Sequence, residues 1–165
     1  MILRSKKIPF LATEFSSDGK GSKFARMTNF TEFNVSKNPK EHSSKYIDED
    51  FERSEIVAYA TSANYKFDYE PDNVVHQKLA QVADEELTGD AAKVTIAIVD
   101  MLNGSEVASG NVYPCRVREF SAVPSSEGDD SDIYTYSGTF KAVGATTLGY
   151  MQINEDGSGT FMETL

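Results

Sequence analysis

Hydrophobic and polar positions along the chain alternate in short runs. From Ile56 to Tyr69 the odd positions Val57, Tyr59, Ala63, Tyr65, Phe67 and Tyr69 make one apolar face opposite Asn64, Lys66 and Asp68, the pattern of a half-buried antiparallel strand. Residues 24–36 place Ala25, Met27, Phe33 and Val35 on one parity and predict a second strand. Residues 93–102 are apolar on both parities through their middle, as in a strand covered on both faces. Asn103-Gly104 is a hairpin turn, so the run from Glu106 to Val123 should pair back until Pro124 ends it. Tyr134, Tyr136, Phe140 and Ala142 share a parity in the next strand, and LGYMQIN and TFMETL close the series.

Helical spacing occurs once. After Pro71, Asp72 is placed to cap a helix in which Val75, Leu79, Val82 and Ala83 recur at helical intervals, with Gly89 just past its end. Residues 1–23 mix Lys, Ser and Gly around Ile8, Phe10, Leu11 and Phe15 and read as an arm that docks by a few anchors. Residues 37–52, KNPKEHSSKYIDEDFE, carry a proline, dense charge and few apolar anchors and read as a long functional loop. The expected architecture is mainly β: an antiparallel β-sandwich or barrel with one flanking α-helix, an extended loop, an N-terminal arm over 1–23 and one domain over 24–165.

At 165 residues the chain is long enough for a real core without a staple. Its single cysteine, Cys115, excludes an internal disulfide and fits a reducing compartment. Neither a signal-peptide stretch nor a membrane span is visible, so synthesis in a bacterial cytoplasm is expected, and three glycosylation sequons have no chemistry behind them. A formal net charge of -10 argues against a protein that grips DNA. The charge is also segregated: residues 1–47 hold nine Lys and Arg against four Asp and Glu, while 48–165 hold seven against twenty-two. Such segregation permits like molecules to associate in a defined order.

No catalytic constellation is visible. The only histidines, His42 in the charged loop and His76 in the first turns of the helix, have no triad setting, and His76 is expected on the helix surface. Asp84, Glu85 and Glu86 are consecutive on a helix and point to different sides. Asp129, Asp130 and Asp132 supply hard oxygen ligands in an expected acidic loop, SSEGDDSD, but without the calcium-loop spacing. No Gly-rich phosphate loop and no basic aromatic platform occurs. No cofactor, metal or catalytic residue is therefore assigned.

Two blocks are more specific. The run FERSEIVAYA over 51–60, followed by the strand to Tyr69 and the helix ending in DEELTG, resembles major tail (tail tube) proteins of siphophages, particularly those of Gram-positive hosts. So does the stretch from Arg118-Glu119-Phe120 through Val123-Pro124 and SEGDDSD to YTYSGTFKAVG over 134–144. Together they cover about half the chain, in the family's order.

The resemblance implies a structural subunit, not an enzyme: hexameric rings stack into a hollow conduit in the virion tail, and DNA passes through without specific binding. It also implies tape-measure, tail terminator and baseplate or distal tail proteins as partners. A long loop and terminal arms bridge rings in that family, which makes Lys37, Lys40, Lys45, Tyr46, Asp48, Glu49 and Asp50 the expected assembly residues. A conduit should repel its cargo, and Glu32, Glu55 and Asp68 are the expected lumen acids. The alternatives are the tube of a contractile tail or tail-derived machine, and a monomeric β-sandwich binding module whose acidic loop takes calcium. An enzyme ranks behind both, because no site is visible.

Overall fold

The computed structural model describes residues 1–15, 21–107, 110–130 and 132–163. They form twelve strands, one α-helix and two short 3-10 turns. The strands are β1 (Lys7–Phe15), β2 (Gly21–Arg26), β3 (Phe30–Ser36), β4 (Pro39–Ser44), β5 (Arg53–Tyr59), β6 (Ser62–Asp68), β7 (Lys93–Asp100), β8 (Ser105–Val107), β9 (Gly110–Asp130), β10 (Ile133–Ala142), β11 (Thr147–Ile153) and β12 (Gly159–Met162). The helix, α1, spans Val74–Asp84. The fold is mainly β, a large antiparallel sheet with a nearly closed ring of strands and one helix, as the alternation predicts.

The ring runs β1–β7–β9–β11–β12–β2 and back to β1. Its lightest seam is β12 against β2, where Gly159 faces Phe24 and Thr160 faces Lys23. Inside the ring lie Ile8, Phe10, Phe24, Ala97, Val99, Cys115, Val117 and Met151. The 21-residue β9 then leaves the ring and carries an open sheet, β9–β10–β6–β3. A second core fills the space between that sheet, α1 and the outside of the ring. Tyr65, Phe67, Tyr136 and Phe140 come from the sheet, Val75, Leu79 and Val82 from the helix, and Leu11, Val94 and Ile96 from the ring wall. Thus β7 is covered on both faces, even positions in one core and odd positions in the other, as its sequence predicts.

Several boundaries differ from the sequence reading. Residues 7–15, expected in an arm, form β1, paired on both sides within the ring, because Ile8, Phe10 and Ala12 alternate into its interior; residues 16–20 of that stretch lie outside the described residues. Residues 24–36 are two strands, separated by a turn with Asn29 at φ 59°. Pro124 does not end β9: pairing continues to Asp130, with a bulge where Ser137 pairs with Ser126 and Gly138 with Pro124. The expected acidic loop is therefore largely strand, with Ser131 and the Asp130 side chain outside the described residues.

The helix cap moves by one residue. Asn73, not Asp72, is the N-cap, and its side-chain oxygen accepts from the backbone N–H groups of Val75 and His76. At the other end Glu86, at φ 51°, takes the left-handed position expected of Gly89, and the Leu87 N–H bonds back to the Val82 carbonyl at 3.1 Å. His76, expected on the surface, is fully buried. It stacks on Phe67 at 4.5 Å between ring centroids, and both ring nitrogens are hydrogen-bonded.

Candidate assembly surfaces

The segment expected as a loop over 37–52 is built as a hairpin. β4 and β5 pair with each other from Pro39–Tyr59 to Ser44–Arg53 and with no other strand among the described residues. The hairpin continues the β3–β6 ladder past Ser36 and Ser62, across a kink at Asn38 with φ 46°. Asn38 stitches that joint: its Nδ2–H donates to the Ala60 carbonyl at 3.0 Å and to Ser62 Oγ at 3.3 Å, and its own carbonyl accepts from the Ala60 N–H.

Every residue of β5 is exposed, including Ile56, Val57 and Tyr59, so the half-buried strand expected from Ile56 to Tyr69 is buried only from Thr61 onward. A two-stranded hairpin without a covered apolar face is marginal alone in water. Its tip is nonetheless organised. The Glu49 N–H closes a turn on the Tyr46 carbonyl at 3.1 Å, Arg53 forms an ion pair with Glu49, and the Arg53 guanidinium sits 5.9 Å above the Tyr46 ring. Beyond this cap project Ile47, 108% exposed, and Phe51, 64% exposed.

The expected assembly residues fall along this element. Lys37 stands at the root, Lys40 on β4, Lys45 just beyond β4, and Tyr46, Asp48, Glu49 and Asp50 in the tip. Burial and the neighbouring Arg116 and Arg118 push the Lys37 ammonium below its ordinary pKa. Lys37 shares with those two arginines a small cleft floored by Ile96, Ile98 and Phe120. The sequence reading did not single out Arg116, Arg118, Ile47 or Phe51; the alternation of Cys115 and Val117 with Arg116 and Arg118 was the available signal, since it sets the arginines on the outer face of the ring.

The open sheet presents a polar face away from its core. Asn34, Asn64 and Thr139 form one cross-strand row, tied by Thr139 Oγ1–H to Asn64 Oδ1 at 3.0 Å. Glu32, Lys66 and Ser137 form the next, continued by Ser126, whose hydroxyl lies 2.6 Å from that of Ser137. Of the expected lumen acids, Glu32 and Asp68 belong to the β3–β6 part of this face, whereas Glu55 lies opposite His42 on the free hairpin. Glu32 sits directly across from Lys66, so the face is a hydroxyl and amide surface with offset charges more than an acidic one. A further group of acids lies on the other, helix-covered side of the sheet, where Asp84 accepts from Tyr136 Oη and Glu127 from Tyr134 Oη.

The sheet edges are open on both sides: among the described residues β3 pairs only with β6, and the β7 partner of β9 stops at Ser121. Among the described residues no group of three or more His, Cys, Asp or Glu is placed to hold a metal, and no helix is long and apolar enough to cross a membrane.

Neither the protein-family models nor the curated proteins contain a match to this chain. Solved structures do. A chain of the virion of a native gene transfer agent particle superposes with a TM-score of 0.55 at 10% identity, over 90% of this chain and 98% of that one. A chain of the tail of an empty gene transfer agent particle with C6 symmetry gives 0.52 at 9% identity, over 88% and 97%. At such identities the likeness establishes a shared fold, over nearly the whole of both chains.

Proposed function

We propose that the protein is the structural subunit of a phage-type tail tube, forming hexameric rings that stack into a hollow conduit for DNA. What carries this reading is the four-stranded sheet with two open edges, in a fold shared over 88% of the chain with a component of a six-fold symmetric tail. Edge-to-edge pairing of β3 in one copy with the outer half of β9 in the next would continue the sheet around a ring and remove both exposed edges. The polar face would then line the lumen. Hydroxyls, amides and the offset Glu32 and Lys66 charges offer few sites for phosphate neutralisation, so DNA would pass without being held.

The free hairpin supplies a contact between rings, and a heterologous contact of that kind extends into a filament when it does not close. In this reading the chain resides in a particle tail, is not an enzyme, and meets tape-measure, terminator and distal tail proteins at the ends of the tube. Electron microscopy of the concentrated protein tests it. Tubes or rings with a central channel are expected. Monomers at every concentration, alone and with a preformed tail tip, would overturn the reading.

A further inference from the structure

On the outer wall of the ring, one groove has the opposite character to the hairpin tip. Its volume is about 590 Å³, and Ile98, Pro114, Leu148 and Tyr150 line it, with Leu148 71% exposed. Lys7 and Arg116 border it, and Arg116 also borders the adjoining cleft that holds Lys37 and Arg118. Two carboxylates share the region, Asp100 and Glu163. Asp100 is committed to its own turn, accepting from the Leu102 N–H and from Asn103 Nδ2–H, both at 2.9 Å. The groove alone is balanced, Lys7 and Arg116 against the two carboxylates, but with Lys37 and Arg118 of the adjoining cleft the combined surface holds four cations against two carboxylates and is basic.

The tip from Tyr46 to Arg53 carries Asp48, Glu49, Asp50 and Glu52 against one cation, Arg53, which is already paired with Glu49. It projects Ile47 and Phe51 into solvent. Charge decides which surface it fits: the acidic group around Asp84, Glu85, Glu127 and Asp129 would repel it, and the basic surface around the apolar-floored groove would attract it.

We propose that the hairpin tip of one copy docks in this groove of a second copy, seating Ile47 and Phe51 on Ile98, Leu148 and Tyr150 while Asp48, Asp50 and Glu52 face Lys7, Lys37, Arg116 and Arg118. The inference rests on the tube reading and gives it a defined contact. Tip and groove are different patches of the same chain, so the contact is heterologous and one copy can always receive another. It also covers apolar side chains that the isolated hairpin leaves in water.

Charge reversal tests the docking. The tip variant Asp48→Lys/Asp50→Lys and the groove variant Lys37→Glu/Arg116→Glu should each raise the concentration needed for assembly at least about tenfold, followed by light scattering and electron microscopy. Arg118 is left intact because its Nε–H donates to the Gly144 carbonyl. The chain carrying all four changes should assemble near the wild-type concentration, since both partners have reversed together. Unchanged circular dichroism and melting temperature establish that each variant folds. A second pair, Ile47→Cys with Leu148→Cys, should give intermolecular disulfides on oxidation of assembled material. Failure of the wild type to assemble at all strikes the tube reading itself. Wild-type assembly with undisturbed assembly of both reversals, or with a folded four-fold variant that stays as impaired as its parents, overturns the docking alone.

Discussion

His76 and Thr28, 48 residues apart, are joined by a 2.7 Å hydrogen bond from the imidazole Nε2–H to the Thr28 carbonyl. The tautomer follows from the other nitrogen, Nδ1, which accepts the Glu70 N–H at 3.0 Å and so carries no proton. The ring thereby ties α1 to the turn between β2 and β3 and to the end of β6.

A protonated His76 would turn Nδ1 into a donor facing a donor, in a fully buried site. Burial lowers its pKa below the ordinary 6.5, outweighing the opposite pull of the Thr28 bond, Glu70 and Asp68. The native state thus refuses a proton that the unfolded chain accepts. Stability should be full above pH 6.5 and should fall as pH drops from there through the depressed native value. Asp90, Asp100 and Asp156, held below 3.8, act only at lower pH. Urea midpoints at pH 7.5 and 5.5 should differ in the wild type and converge in His76→Gln; equal slopes would refute the assignment.

Gly138 sits where β10 passes the β9 bulge. A Cβ there would lie 2.5 Å from the Val123 carbonyl oxygen and 2.7 Å from Tyr65 Oη. The obstruction includes backbone, so Gly138→Ala should cost about 1–3 kcal/mol in chemical denaturation. By contrast Gly144→Ala, with nothing near its Cβ, should be close to neutral.

Asn73 does two things at once: it caps α1 and donates from Nδ2 to Thr28 Oγ1 at 2.8 Å. Asn73→Ala should cost about 0.5–2 kcal/mol for the lost cap, and Asn73→Asp should recover much of it by keeping the acceptor. A Thr28→Val change in the Asn73→Ala background should then add little, a double-mutant comparison that separates the two roles.

Cys115 lies inside the ring, and burial pushes its thiol up to about 12. Native protein at pH 8 should react with an aromatic disulfide reagent far more slowly than unfolded protein, because the thiolate is scarce and shielded. Labelling at the unfolded rate would contradict a closed ring.

Asn38→Ala removes both side-chain bonds at the hairpin root and places a Cβ residue without them at positive φ. Amide exchange of residues 39–59 should accelerate while the ring and helix amides keep their protection, since the hairpin contributes little to either core. Loss of protection throughout would mean that the joint supports the whole fold.

What the sequence revealed tracks what each segment buries. The double-sided β7 was legible because Val94 and Ile96 enter one core and Ala97 and Val99 the other. Of the hairpin only residues 56–59 were read as strand, and as a half-buried one; β4 was not, since its exposed side chains show no apolar alternation and its hydrogen bonds leave no mark on side-chain type. His76 was misplaced although it shares a stripe with Leu79 and Ala80; a polar side chain in an apolar stripe is legible only when its backbone partners are known, and one of them, the Thr28 carbonyl, is 48 residues away while the other, the Glu70 N–H, lies in the turn before the helix. Pro124 was read as a stop because the bulge that accommodates it depends on Gly138, fourteen residues later. Of the expected assembly residues, position along a projecting element could be anticipated. The groove could not, because it is composed of side chains from β1, β7, β9 and β11 that only the closed ring brings side by side.

The dual membership of β9 makes it a proofreading ruler. A slip of one residue would turn Cys115 and Val117 outward, push Arg116 and Arg118 into the ring, and invert Phe120 and Ala122 relative to the second core. Both cores would fail from one error, so a mis-registered chain has no partly stable form to rest in and should remain unfolded.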